Sequence, residues 1–354
     1  MKKIRFALVG CGRIARKHAE ILSKQIPEAM LVAVCDIIPE RAKAYGDKYG
    51  VPYFTDMHLM LENMEKQIDV INILTPSGYH SQHAISLAKY KKHIIVEKPM
   101  ALTLEDADQM IRVCDEMRVK LFVVKQNRFN YPVQKLRSAI EQNRFGKLVM
   151  GTIRVRWCRD QSYYAQDSWR GTWKYDGGVL TNQASHHIDL LEWMMGEVDT
   201  VFAKTDTKLV NIETEDTGIA LLTFANGAFG IIEATTATRP KDIEGSISVL
   251  GEKGTVEIGG FAVNEMKIWN FSDQRPDDAE VVQKFRQNPP DVYGFGHFAY
   301  FKDVIDSILL DRKALVDGLE GRKSLELITA IYESAETNQE VRLRFKPSRC
   351  RLGR

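Results

Sequence analysis

Short apolar runs alternate with amphipathic stretches along the first third of the chain. Such runs are too short for buried helices, and they predict strands of a parallel sheet that is covered on both faces. The amphipathic stretches between them predict helices, so the pattern indicates an α/β arrangement. Strands are predicted at 4–9, 31–35, 53–54, 70–74, 93–96 and 121–124, with helices at 40–49, 82–90 and 104–117.

The pattern changes after a predicted helix at 133–143. Along residues 148–157, apolar positions such as Ile153 and Val155 alternate with Thr152, Arg154 and Arg156, as expected for a strand with one buried face. Consecutive strands without helices between them imply a mainly antiparallel sheet, with a hairpin at Asn226-Gly227. Further strands are predicted at 201–208, 217–224, 229–236, 246–250, 255–258, 266–271 and 341–345, with helices at 300–310 and 321–337.

The predicted fold class is therefore a doubly wound, mainly parallel α/β domain at 1–126, followed by an α+β domain at 127–354 with a large, open, mainly antiparallel sheet. The open face of that sheet needs a cover. A homodimer or homotetramer formed through the C-terminal sheet is expected to supply it.

Composition and charge narrow the class of protein. The chain has 354 residues and a formal net charge of +2, which argues against a nucleic acid or a membrane surface as the main partner. Five cysteines lie at Cys11, Cys35, Cys114, Cys158 and Cys350, without the spacing of a metal site or a disulfide framework. We therefore expect a cytoplasmic protein with no metal site. The apolar stretch at the start is too short for a signal peptide and leads into a glycine turn.

That turn has the form GxGxxA and directly follows the first strand, as in the Rossmann fold. Gly10 permits the turn, Gly12 lets a pyrophosphate approach the backbone, and the small Ala15 lets the helix pack on the strand. The second strand ends at Asp36, 24 residues after Gly12, which is close to the spacing of an acid that binds a ribose diol. An acid at this position repels a 2′-phosphate, so NAD is expected rather than NADP.

Two loops follow strands at the edge where open α/β sheets bind ligands. The first is TPSGYH, from Thr75 to His80, and the second is Glu97-Lys98-Pro99. A lysine in the second loop would project over the nicotinamide side of the crevice. The alternative for Lys98 is a solvated surface position, the usual place of lysines.

The stretch GGVLTNQASHHIDLLEW, at 177–193, carries the strongest chemical signal of the second domain. It predicts an amphipathic helix with His186, Asp189 and Trp193 on one side and Ser185 as a possible cap. A histidine in the first turn feels the positive end of the helix dipole, which favours a neutral imidazole able to accept a proton. The alternative is a buried histidine bonded to a carbonyl.

Taken together, GxGxxA, Asp36, TPSGYH, EKP and GGxLxNxxxHxxD resemble the Gfo/Idh/MocA oxidoreductases over nearly the whole chain. The stretches KQNRFN, SWRGTWKYDGG, LTNQASHHIDLLEW and GHFAYFKDVI resemble the members that oxidise the C3″ hydroxyl of UDP-N-acetyl-2-amino-2-deoxyglucuronate in bacterial surface-polysaccharide synthesis. The resemblance implies catalysis by Lys98 and His186. It implies cofactor contacts from Gly10, Gly12, Arg13, Ile14, Asp36, Thr75, Pro76, His80, Glu97, Lys98, Gln126, Trp169 and Arg170, and contacts to the UDP-linked uronic acid from Lys98, Asn127, Arg128, Arg156, Asn182 and His186.

Asn182 departs from the polyol dehydrogenases of this family, many of which have Asp four residues before the histidine. An amide cannot take a proton, so Lys98 and His186 must share the acid–base work. Arginines such as Arg128 and Arg156 suit the phosphates and carboxylate of a UDP-uronate, although Arg156 facing solvent or a neighbouring subunit is equally compatible. Trp169 could stack on a ring or merely cover the sheet.

Three functions compete at this point. The first is NAD-dependent oxidation of a UDP-linked uronic acid, with His186 as general base and Lys98 as the group that polarises the oxygen. The reverse assignment stays open, because a lysine with a depressed pKa is also a competent base. The second function is a dehydrogenase of a free polyol or sugar of the inositol type, and the third is a non-catalytic NAD-binding regulator.

Overall fold

The structure, a computed structural model, describes residues 3–286, 294–343 and 351–352. Two compact units are present. The first comprises Met1–Val124 and His297–Arg322, and the second comprises Lys125–Gly296 and Lys323–Arg354. The division lies two residues before the boundary predicted at 126, and the segment 297–322 packs with the first unit although it follows the second in the chain.

The first unit contains a six-stranded sheet in which every neighbouring pair of strands is parallel. Its strand order is β3-β2-β1-β4-β5-β6, the doubly wound order that changes direction next to β1. The strands are β1 (Ile4–Val9), β2 (Ala29–Cys35), β3 (Tyr53–Phe54), β4 (Val70–Ile73), β5 (His93–Val96) and β6 (Leu121–Val123). The helices are α1 (Ala15–Glu20), α2 (Pro39–Tyr49), α3 (Met57–Asn63), α4 (His80–Ala88) and α5 (Leu104–Glu116).

The predicted strands of this unit are confirmed, with ends that shift by one or two residues. Helix α3 was not predicted, although Asp56 caps it by accepting hydrogen bonds from the amides of His58 and Leu59. The available signal was an N-cap aspartate followed by the mainly apolar run at residues 57–61.

The second unit contains an eight-stranded sheet in the order β13-β12-β11-β7-β10-β9-β8-β14. Within the described part of this unit, the β7–β10 pair is parallel and the other neighbouring pairs are antiparallel. The strands are β7 (Leu148–Arg156), β8 (Val198–Asp206), β9 (Thr217–Phe224), β10 (Phe229–Thr235), β11 (Glu244–Gly251), β12 (Gly254–Gly259), β13 (Glu265–Phe271) and β14 (Val341–Arg342). Across the described residues, the α-helices that follow are α6 (Tyr131–Glu141), α7 (Gln161–Tyr164), α8 (Ser185–Met195), α9 (Asp278–Lys284), α10 (Gly296–Leu309) and α11 (Gly318–Thr337).

Helix α8 packs on one face of this sheet. A Cβ at Gly151 of β7 would lie 2.6 Å from the Met195 side chain and 2.8 Å from that of Leu191, so glycine allows the close approach. The other face carries exposed large apolar side chains on β8, β9 and β10, where Leu221 pairs with both Phe202 and Ile231. These side chains are Phe202, Ile219, Leu221, Phe229 and Ile231, which are 36–62% exposed. The predicted open sheet is therefore present.

At the C-terminal end, the strand predicted at 341–345 extends over Val341–Arg342, and Phe345 lies outside the described residues. Cys350 also lies outside them, and so does most of the basic tail at 346–354, which was expected to fray. The other four cysteines are free thiols. Among the described residues, no helix is long and apolar enough to cross a membrane.

Candidate active site

The glycine turn after β1 has the geometry that a dinucleotide requires. Gly10 has a φ of +102°, and a Cβ there would lie 2.8 Å from the carbonyl group of Leu74, so only glycine fits. A Cβ at Gly12 would meet no atom within 4 Å. The space beside Gly12 is therefore open to a bound pyrophosphate, as the GxGxxA pattern predicts.

Asp36 follows β2 and is 8% exposed. Its carboxylate accepts hydrogen bonds from the backbone amides of Cys11 (2.7 Å) and Ile38 (2.9 Å). These bonds hold the acid against the glycine turn, and a carboxylate has further lone pairs with which to accept from a ribose diol. In the same turn, Arg13 is exposed and Ile14 is half-buried.

The loop after β4 is organised by His80, the first residue of α4. Its Nε2 lies 2.8 Å from the carbonyl oxygen of Thr75, and its Nδ1 lies 2.8 Å from that of Pro99. Burial lowers the pKa of His80, and the two carbonyl contacts oppose that shift. Both ring nitrogens thus face backbone carbonyls. The sequence predicted a contact between His80 and the cofactor, and it did not indicate these two carbonyl contacts. Thr75 and Pro76 are half-buried.

Glu97 and Lys98 follow β5. The Glu97 carboxyl group is buried, with Oε1 2.9 Å from His18 Nε2 and Oε2 accepting from the Lys98 amide at 3.1 Å. Burial by itself would raise the pKa of Glu97, but its hydrogen bond to His18 and the neighbouring His297 and Lys98 hold that pKa below its usual value. Glu97 is therefore ionised at neutral pH. Lys98 is half-buried, which differs from the solvated position considered above.

In the second unit, His186 lies in the first turn of α8 and is 8% exposed. Helix α8 begins at Ser185 and has Ala184 as its N-cap, so the suggestion that Ser185 caps the helix was wrong. A π-helical turn over Val179–Gln183 precedes it. His186 Nε2 lies 3.0 Å from Gln126 Nε2. Gln126, expected at the cofactor, is thus a partner of the histidine.

Asp189, one turn along α8, is the centre of a buried ion cluster. Arg128 donates to it from Nε at 2.8 Å and from Nη2 at 2.9 Å, and Lys125 Nζ lies 3.7 Å away. Burial alone would raise the pKa of Asp189, but these two cations hold it below its usual value. Arg128 also lies over the ring of Trp193, at 4.9 Å from its centroid. His186, Asp189 and Trp193 do share a side of α8, as the spacing predicted.

The remaining residues predicted to bind the substrate do not all lie on the same side of the second sheet. Asn182 donates a hydrogen bond to Asp176, and Asn127 is buried. Arg156 lies on the sheet face opposite α8, because side chains alternate along β7, and it pairs there with Glu233 and Glu244. Its placement matches the alternative stated above, in which Arg156 faces solvent or a neighbouring subunit. The unit does not bring Arg156 together with His186.

Trp169 and Arg170 lie between α7 and the π-helical turn, and both are half-buried. Arg170 donates to Asp167 at 3.0 Å and to the Tyr163 hydroxyl at 2.9 Å, and its guanidinium lies over the Trp169 ring. Their roles at the cofactor stay a prediction.

Sequence reasoning missed a buried carboxyl group beneath the π-helical turn. Glu215 accepts from the Leu180 amide at 2.9 Å and from the Tyr332 hydroxyl at 2.8 Å. Burial raises the pKa of Glu215 to about 7. The partners lie 35 and 117 residues away in sequence, so no local pattern could have identified them.

Comparison with known proteins agrees with the two-unit architecture. Residues 4–125 match the family model described as the oxidoreductase family, NAD-binding Rossmann fold, and residues 137–343 match that of its C-terminal alpha/beta domain. Among curated relatives, myo-inositol 2-dehydrogenase of Thermotoga maritima is 29% identical, over 96% of this chain and 98% of that protein.

Two solved structures are more similar in sequence. The WlbA dehydrogenase of Bordetella pertussis, in complex with NADH and UDP-GlcNAcA, is 43% identical, with a TM-score of 0.87 over 96% of this chain and 99% of that chain. The WlbA dehydrogenase of Chromobacterium violaceum, with the same two ligands, is 42% identical. Its TM-score is 0.89, over 97% of this chain and 96% of that chain.

The open space at Gly12, the anchored Asp36 and the strand order of the first unit fit a dinucleotide, and the family models cover both units. The cofactor is NAD, and the protein is an oxidoreductase of the kind that acts on sugars and polyols. The chain belongs to the Gfo/Idh/MocA oxidoreductase family.

Proposed function

We propose that the protein oxidises the C3″ hydroxyl of UDP-N-acetyl-2-amino-2-deoxyglucuronate to a ketone, as a step in the synthesis of a bacterial surface polysaccharide. Two solved structures that hold UDP-GlcNAcA are 42–43% identical to this chain, against 29% for the inositol dehydrogenase. Asn182 supports the same choice, because it stands where many polyol enzymes of the family have Asp.

His186 is the general base in this proposal. The Gln126 amide nitrogen can only donate, so the His186 Nε2 that it approaches at 3.0 Å carries a lone pair. This contact carries the assignment, because a base must be unprotonated on the nitrogen that receives the proton. Nε2 has one lone pair, so the substrate hydroxyl takes the place of the Gln126 amide when it binds. NAD⁺, when bound, accepts the hydride from C3″.

Lys98 supplies the second function, a cation that donates to the C3″ oxygen and polarises it. An ammonium group has three donors and no acceptor, which suits this task. The neighbouring Glu97 is ionised and buried. The backbone amide of Lys98 donates a hydrogen bond to the Glu97 carboxylate. Arg13, Asp36 and the Thr75–Pro76 loop are assigned to the cofactor, and Asn127 and Asn182 to the sugar.

The substrate assignment is tested with a panel of sugars. Replacing the carboxylate by the neutral CH₂OH of UDP-N-acetylglucosamine should remove one charge-assisted contact, worth about 1.5–3 kcal/mol. We expect kcat/KM to fall by about 10- to 150-fold. Equal kcat/KM on both would contradict the uronate assignment. Efficient turnover of free myo-inositol would favour the polyol alternative, and no turnover of any sugar would favour a regulator.

We further propose that the open face of the eight-stranded sheet pairs with a second copy of the chain. Exposed apolar side chains concentrated on neighbouring strands mark an association surface. Leu221 is 60% exposed and is paired with Phe202 and Ile231 at the centre of this surface. A homodimer or homotetramer follows, according to whether one or two surfaces are used.

Leu221→Asp is expected to dissociate this assembly, because it places a charge in the centre of the apolar surface. Sedimentation velocity at micromolar concentration measures the change in mass. The matched control is Leu59→Asp on α3, a leucine that is 55% exposed and lies in the other unit. A fully active monomer of the unsubstituted protein would contradict the proposal.

A further inference from the structure

The segment Glu97-Lys98-Pro99 is held from inside the first unit by its own first residue. Glu97 is 7% exposed, and its two carboxylate oxygens have different hydrogen-bond partners. Oε2 accepts from the backbone amide of Lys98 at 3.1 Å, and Oε1 lies 2.9 Å from His18 Nε2. The orientation of the Glu97 carboxylate therefore fixes the backbone of Lys98.

His18 is itself oriented by a residue of β4. Asn72 donates from its side-chain nitrogen to His18 Nδ1 at 3.1 Å, and both residues are completely buried. An amide nitrogen can only donate, so Nδ1 is an acceptor and the ring proton lies on Nε2. That proton points to Glu97 Oε1. A chain of hydrogen bonds thus runs from Asn72 through His18 and Glu97 to the Lys98 amide.

A second histidine holds the other side of Lys98. His80 Nδ1 lies 2.8 Å from the carbonyl oxygen of Pro99, and His80 Nε2 lies 2.8 Å from that of Thr75. His80 is 1% exposed. It lies between the loop after β4 and the Pro99 carbonyl, which is one peptide beyond the Lys98–Pro99 bond. Its neutral ring has one N–H and donates to one of the two carbonyls at a time. The backbone is therefore fixed before Lys98 through Glu97 and after it through Pro99.

We propose that Asn72, His18, Glu97 and His80 form a histidine frame that positions Lys98 for the reaction. The proposal rests on the catalytic role of Lys98 proposed above. Buried hydrogen bonds of this kind hold their partners in place. Rigidity matters here because a catalytic group displaced by about 1 Å can lose about 10²-fold in rate. His18 and His80 are positioning residues in this scheme.

A divalent metal is the competing use of part of this cluster. His18, Glu97 and His297 each offer a ligand atom, and these atoms lie within 4.8 Å of one another. A metal needs the lone pair of each ring nitrogen that it binds. The Asn72 contact places a proton on His18 Nε2, the nitrogen that faces Glu97. The hydrogen-bonded frame therefore accounts for the geometry better than a metal site does.

The test measures single-turnover NADH formation with UDP-N-acetyl-2-amino-2-deoxyglucuronate, together with the Kd for NAD⁺. His18→Leu should slow turnover by about 10²-fold and leave the Kd unchanged. His18→Gln, whose amide can still donate to Glu97, should restore most of the rate. His80→Leu should slow turnover to a similar extent, and it should also raise the Kd for NAD⁺, because it releases Thr75 of the cofactor loop. The matched control is His93→Leu at the far end of β5, where the ring accepts a hydrogen bond from the Lys120 amide, and its rate should be normal.

A double-mutant cycle separates positioning from general damage. In a Lys98→Ala background, His18→Leu should cause no further loss of rate, because the group that the frame positions is gone. Additive losses would overturn the proposal, as would a normal rate for His18→Leu. If His18→Leu does not fold, the same cycle is run with His80→Leu, which is also expected to slow turnover, and additivity there overturns the proposal equally.

Metal content is measured on the unsubstituted protein and on His18→Leu. One equivalent of a divalent metal in the first, lost in the second, would replace the frame by a metal site. A normal rate for Lys98→Ala alone contradicts the proposed function instead. The two failures are thus distinguishable.

Discussion

Replacing His186 by alanine is expected to lower the rate of NADH formation by about 10²–10⁴-fold while NAD binding stays nearly intact. The loss follows from removal of the base that takes the C3″ proton. Lys98→Ala should lose rate for a different reason, because the developing alkoxide no longer has a cationic donor. Single-turnover absorbance of NADH with the cofactor bound measures both effects.

The matched control for His186→Ala is His187→Ala. His187 is the next residue of α8, is 1% exposed against 8% for His186, and contacts the Trp157 ring at 5.9 Å between centroids. Its removal should reduce stability and leave the rate of the folded protein unchanged. For Lys98 the control is Lys92→Ala, since that lysine donates to the Glu65 carbonyl and lies outside the predicted site. Near-normal rates in both active-site variants would mean that neither residue is the base.

Asp189→Ala is expected to lower the free energy of unfolding by about 3–5 kcal/mol. The substitution would leave the Arg128 guanidinium and the Lys125 ammonium buried without the carboxylate that lies within 2.8 Å and 3.7 Å of them. Breaking a buried ion pair by removal of one partner has this magnitude, because the remaining charge stays desolvated. Urea denaturation of the purified protein measures it.

Glu233→Ala is the matched control. It also removes a carboxylate that binds an arginine, but Arg156 is 38% exposed and keeps Glu244 as a partner. Exposed pairs contribute about 0–1 kcal/mol. If Asp189→Ala lowers the free energy of unfolding no more than Glu233→Ala does, then Asp189 does not compensate the buried charges of Lys125 and Arg128.

Much of the fold could be predicted because its signals are local. The β1 run, the GxGxxA turn and Asp36 together indicate a strand, a nucleotide turn and a second strand end within the first 36 residues. Alternation along β7 correctly separates Arg154 and Arg156 from Ile153 and Val155. The strand order within each sheet could not be predicted in the same way, because it depends on pairing between distant segments.

The candidate site could likewise be predicted only as far as its signals are local. Spacing on one helix places His186, Asp189 and Trp193 together, since residues three and four apart share a side of a helix. Periodicity also shows that Arg156 and Val155 lie on opposite faces of the sheet. It does not show which face α8 covers, and that choice separates Arg156 from His186.

The sequence by itself thus determined most of the elements, the cofactor class and most of the residues able to take part in binding or catalysis. Only the tertiary structure decided their partners. Arg128 pairs with Asp189, which is 61 residues away in sequence, and Glu97 contacts His18, which is 79 residues away. A buried charge or ring nitrogen must find a partner wherever the fold brings one near, because its desolvation would otherwise be uncompensated. That partner is selected by packing in three dimensions, which no local pattern of residues records.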